Sequence, residues 1–129
     1  MNTAALLVTA LLFGGTALFS CAFAGFLFNA LPMDMARATI RKAFPHFYSF
    51  VLVAAVVGAL LFYGRNNFAC TVLSIVAATT IVARQILMPA INDATDSRNK
   101  KRFALLHGVS IFISLGHIVA LGIVLVGLS

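Results

Sequence analysis

The sequence predicts an all-α, integral membrane four-helix bundle with both termini on the non-cytoplasmic side, and three observations carry that prediction. The 129-residue chain is 62% hydrophobic with a mean hydropathy of +1.07, well above the roughly 45–50% apolar content of soluble domains. Four almost uncharged runs, about 4–31, 46–64, 68–90 and 103–128, reach the roughly 20 residues a helix needs to cross about 30 Å of hydrocarbon. Basic residues are concentrated in the two connections 32–45 and 91–102. None of the runs alternates polar with apolar residues as a barrel strand does, so in lipid each must close its own backbone hydrogen bonds as a helix. A single membrane domain, 1–129, accounts for the chain.

The first span, 4–31, carries no charge. "SCAFAG" at 20–25 offers Ala22 and Ala24 as small residues of a signal-peptidase site. A secretory signal begins with a basic segment, however, and "MNTAALL" has none, so the span is expected to be retained. Ala10, Gly14, Ala17, Cys21 and Ala24 recur at helical spacing, the small-residue stripe by which helices approach in lipid. Cys21 and Cys70 lack CxxC spacing and sit at different depths, so both are expected as small packing residues.

In 32–45, Pro32 stands at a helix start and Pro45 at an end, which predicts a short interfacial helix with Arg37, Arg41 and Lys42 toward headgroups. The second span, 46–64, has Ala54 and Gly58 as a close-approach pair, and "GRNN" at 64–67 reads as a tight turn. The third span, 68–90, contains Arg84, and Pro89 is expected to free the carbonyl of Gln85. The connection 91–102 mixes Asp93 and Asp96 with Arg98, Lys100, Lys101 and Arg102. In the fourth span, Gly116 and Ala120 form a small-xxx-small pair.

Seven of the nine basic residues, Arg37, Arg41, Lys42, Arg98, Lys100, Lys101 and Arg102, lie in those two connections. Cytoplasmic loops carry such an excess, so the protein is expected in the cytoplasmic (inner) membrane with N- and C-termini outside the cytoplasm. The net charge of +6 then reflects topology and attraction to anionic headgroups of the lipid bilayer. Nucleic acid is not needed to explain it.

Polar residues inside the spans point to function or to interhelical hydrogen bonding. His107, Ser110, Ser114 and His117 are spaced 3, 4 and 3 apart, and are expected to share one inward face. Near the basic side, His46, Tyr48, Arg84, Asn92, His107 and Ser110 form a candidate polar pocket, whereas Gly14, Cys21, Gly58, Ser114, Gly116 and His117 are candidate helix-packing residues. The spans contain no carboxylate, and no nucleophile elbow, phosphate loop or HExxH occurs. No catalytic residue, no metal ligand set and no cofactor is therefore predicted. Haem b is the cofactor alternative. His107 and His117 stand about 15 Å apart along a helix, which leaves His46 with His107 as the pair of similar depth to ligate iron.

Four segments resemble the small bacterial relatives of transmembrane protein 205, a family labelled as a domain of unknown function. They are "FLFNALP" at 26–32, "RKAFPHFYSF" at 41–50, "ARQILMPAINDATD" at 83–96 and "RFALLHGVS" at 102–110. The resemblance spans nearly the whole chain. It implies a four-helix bundle and singles out Pro45, Tyr48, Arg84, Pro89, Asn92, His107 and Ser110, without supplying a reaction. The functional expectation is an accessory or small-molecule-handling membrane protein with a polar pocket at the cytoplasmic side, and no enzymatic activity can be deduced from the sequence. Its alternatives are a structural subunit, as a homo-oligomer or with a membrane-complex partner, and a haem-binding redox protein.

Overall fold

A computed structural model describes residues 3–128. They form four long helices: α1 (Thr3–Ala30), α2 (Met33–Phe62), α3 (Asn67–Asp96) and α4 (Lys100–Leu128). All four are long and apolar enough to cross a membrane. Short connections make successive helices antiparallel neighbours, and α4 packs back on α1 to close the bundle. Leu12, Val51, Leu73, Val76 and Leu121 are fully enclosed at its centre.

Turn chemistry explains where the helices stop. Gly64 takes φ +72° after α2, a left-handed conformation that costs glycine little. The Asn66 side chain then accepts the Ala69 N–H at 3.0 Å and caps α3. At the other end of α3, Arg98 N–H bonds Thr95 O at 3.2 Å and Asn99 N–H bonds Ala94 O at 3.0 Å, which together make a Schellman turn. Arg98 occupies its left-handed position at φ 56°. Asn99 Oδ1 accepts the Arg102 N–H at 3.1 Å and starts α4. The expected connection 91–102 is therefore helical at both ends, with only 97–99 outside a helix.

The separate interfacial helix expected over 32–45 does not form as its own element. Met33–Phe62 is one helix, with Pro45 inside it. Proline removes a single helical hydrogen bond, which neighbouring groups can compensate in a bundle. Residues before it are held in line by Arg41, whose Nη1 and Nη2 donate to the two Asp96 carboxylate oxygens at 2.8 and 3.0 Å. Packing of Phe44 against Tyr48 adds to this, with ring centroids 5.5 Å apart. Pro89 likewise produces no break. It is preceded by a π turn, Ala83–Leu87, in which the Met88 N–H reaches Ala83 O five residues back. A second π turn, Leu18–Phe23, lies in α1.

The close-packed face of α1 is Ala5, Thr9, Leu12 and Thr16, and not the stripe through Gly14 and Cys21. Thr9 turns its hydroxyl back to Ala5 O at 2.7 Å, which lets a polar residue pack as if it were apolar. Gly14 and Gly116 have no neighbouring atom within 4 Å of where a Cβ would stand, and Cys21 is exposed. Gly58 does mark a close approach, with Leu73 Cδ1 3.0 Å from the position of a Cβ. Gly15 and Gly122 mark two more, against Phe50 at 3.0 Å and Phe13 at 3.4 Å.

Candidate functional site

The end of the bundle that carries the seven basic residues assembles part of the expected polar cluster. Tyr48 of α2 is 4% exposed, and its hydroxyl lies on the side of Ser110 of α4. Around it lie Ala83, Leu87, Met88 and Ile91 of α3, with Leu106 and Ile113 of α4 alongside. A buried phenol gains from a polar neighbour, and Ser110 supplies one within an otherwise apolar setting. Arg84 is half-buried on α3 and donates from Nε to Pro45 O at 3.3 Å and from Nη1 to Gln85 Oε1 at 2.8 Å. The acceptor is a backbone carbonyl on α2, which Ser49 Oγ also approaches at 2.9 Å. Asn92 is half-buried one helical stretch beyond Arg84.

Both basic-end histidines point elsewhere. His107 is exposed and stacks on Phe103 one turn earlier, with centroids 5.3 Å apart. At about 100° per residue, position 107 lies roughly 80° around α4 from His117, at the margin of the buried face formed by Ser110, His117, Leu121 and Val124. The expectation that His107 shares that face is corrected accordingly, while Ser114, nearer its centre, is half-buried. His46 is also exposed and lines a surface groove between α1 and α2. The two histidines thus occupy different surfaces. Among the described residues, no three His, Cys, Asp or Glu side chains come together.

Deeper in the bundle, His117 Nε2 is 2.6 Å from Thr79 Oγ1. Thr79 also reaches Ile75 O at 2.8 Å. When its single proton goes to that carbonyl, the hydroxyl accepts from an Nε2–H of His117. Thr16 of α1 is 1% exposed, and its Oγ1 has no hydrogen-bond partner among the described residues. The Phe13–Gly122 contact sets the register of α1 against α4, which puts Thr16 within about 3 Å of His117 in depth.

The groove beside His46 is the feature that sequence reasoning missed. It has a volume of 660 Å³ and is lined by Gly15, Leu18, Phe19, Ala22, Phe23 and Phe26 of α1, facing Ala43, His46, Phe47 and Phe50 of α2. Phe19 forms its wall by stacking on Phe47 at 4.0 Å, edge-on against Phe44 at 5.3 Å. The π turn Leu18–Phe23 falls within this wall and re-aims the aromatic side chains. A sequence signal exists: Phe19, Phe23 and Phe26 share a face at helical spacing, opposite the small residue Ala43. Size alone does not show which small residues meet a neighbour and which leave a gap.

A sequence model for the domain of unknown function DUF4149 matches residues 7–100, which cover the groove, Arg84 and Pro45 but stop short of His107 and Ser110. Among curated proteins, and among solved structures, nothing matches the chain. The match takes in well over half of the chain, and the protein is a multi-pass membrane protein belonging to the DUF4149 family.

Proposed function

We propose that this protein is an accessory component of the cytoplasmic membrane that holds a small membrane-soluble amphiphile at its basic end, with that end facing the cytoplasm. The observation that carries the reading is the 660 Å³ groove, walled by phenylalanines and reached by one imidazole. Ligand sites are typically apolar concavities with a few placed polar groups. The small-molecule role thus moves from an enclosed polar pocket to a cleft open at the side of the bundle. Arg84 on the Pro45 carbonyl fastens α3 to α2 behind it. The excess of Lys and Arg supports the orientation, with both termini outside. Within the family, kinship to transmembrane protein 205 relatives is supported by the segments 26–32, 41–50 and 83–96.

Mass spectrometry of the protein purified in mild detergent tests the reading. An amphiphile that co-purifies with the wild type and is lost in Ala22→Phe, which fills the groove, supports it. A wild type that retains no amphiphile contradicts it.

A structural-subunit role is the second reading, favoured by the open space around Gly14 and Gly116 on exposed faces. Small residues on a lipid-facing surface suit lateral helix contact, whether with another copy or with a membrane-complex partner. A stoichiometric partner that co-purifies would favour this reading. The haem b alternative is tested by absorbance: a Soret band would support it, and a colourless preparation would remove it.

A further inference from the structure

Building on the proposed amphiphile-binding role, we infer that the groove between α1 and α2 binds an anionic phospholipid, its acyl chain along the phenylalanine wall and its phosphate between Lys42 and His46. The two helices are antiparallel, and their register is fixed by Gly15 beside Phe50 and Phe19 on Phe47. The groove accordingly runs from Gly15 and Phe50 to Phe26, about 16 Å along the helix axes. Its deep half lies beside the uncharged stretch of α2, and its other half reaches the turns that carry Arg37, Arg41 and Lys42. That placement matches a lipid in the bilayer, with the chain in the hydrocarbon and the headgroup at the charged boundary.

Charge complementarity selects the headgroup. Lys42 stands one turn before His46 on α2, so the two share a face. Side chains on a helix tilt toward its N-terminus, which for α2 is the basic end. The ion pairs formed at this end take other cations: Arg41 is held by Asp96 at 2.8 Å and Arg102 by Asp93 at 2.9 Å. Lys42 and Arg37 are both exposed and are left to meet a phosphate that carries net negative charge. His46 contributes an imidazole N–H at the groove itself. The Phe19, Phe44 and Phe47 cluster keeps the wall in place without any bound molecule.

The test places the full chain in nanodiscs of equal dioleoyl phosphatidylglycerol and dioleoyl phosphatidylcholine. Native mass spectrometry then counts the lipids retained. Wild type is expected to keep phosphatidylglycerol in preference to phosphatidylcholine. Lys42→Gln should lower that preference about fivefold, His46→Gln, which keeps an N–H donor, should lower it less, and Ala22→Phe should release both lipids. Gly116→Phe adds the same bulk where no atom lies within 4 Å and should change nothing. Equal retention of the two lipids by wild type overturns the inference and leaves the amphiphile reading intact. Failure to retain either lipid overturns both. A protein dimer that Ala22→Phe separates shows that a second copy fills the groove, and also overturns the inference. Lys42→Gln and His46→Gln alter exposed side chains, so their results stand even if Ala22→Phe fails to fold.

Discussion

Substitution of Gly58 gives a quantitative test of how the helices pack. An alanine there places its Cβ 3.0 Å from Leu73 Cδ1 and 3.6 Å from both Leu73 Cδ2 and Val8 Cγ1. Leu73 is 0% exposed, so its methyl group must give by a few tenths of an ångström within the core rather than into solvent. Overpacking of this kind costs about 1–3 kcal/mol, against a helix-propensity gain of about 1 kcal/mol for replacing glycine by alanine. Gly58→Ala is therefore expected to lose up to about 2 kcal/mol, and Gly58→Leu about 3 kcal/mol or more. Gly14→Ala and Gly116→Ala meet no atom within 4 Å and are expected to be neutral or slightly stabilising. Thermal unfolding in mild detergent, followed by circular dichroism, ranks the four variants. Leu73→Ala alone should cost about 2–5 kcal/mol, and part of that loss should return in Gly58→Ala/Leu73→Ala because the new methyl enters the vacated space. If Gly58→Ala matched wild type while Gly14→Ala lost stability, the assignment of the packing face would be refuted.

Five further variants have expected outcomes in the same assay. Thr16→Val should be neutral or stabilising, because the buried hydroxyl it removes has no partner among the described residues; a loss above about 1 kcal/mol would contradict this. Thr79→Val should cost only about 0.6 kcal/mol, while His117→Ala, which also empties a buried site, should cost clearly more. Arg98→Gly should gain about 0.5–1 kcal/mol by relieving the left-handed backbone at φ 56°. Asp96→Asn should cost under about 1 kcal/mol, since the Arg41 pair is exposed, and added salt should shrink the difference from wild type.

Hydropathy sufficed for the number of the helices, because lipid leaves the backbone so few alternatives. The turn at 64–67 was also legible, with Gly64 at a positive φ and Asn66 as a cap. Proline signals misled. Pro45 reads as a helix end in isolation, yet α2 continues through it, with the Arg41–Asp96 pair, which sequence order does not show, holding the turn before it. The inward face of α4 was legible at Ser110 and His117 but drifted at His107, because spacings of three and four accumulate rotation over ten residues. Of the candidate pocket, Tyr48 and Ser110 are both buried, and Arg84 reaches across to α2 at the Pro45 carbonyl. The groove escaped notice because it depends on which small residues fail to meet a neighbour, a property of two helices in register rather than of either alone.

The chain contains no tryptophan, so a single introduced indole can report directly on the groove. Leu18→Trp places it within the groove at a position already 65% exposed, and Phe112→Trp places it on α4 at a position 79% exposed. In bilayers doped with phospholipid brominated on its acyl chains, an occupied groove predicts stronger fluorescence quenching at position 18 than at 112. The excess should be larger when the brominated lipid is anionic than when it is zwitterionic. Equal quenching at the two positions with both lipids would contradict lipid binding in the groove.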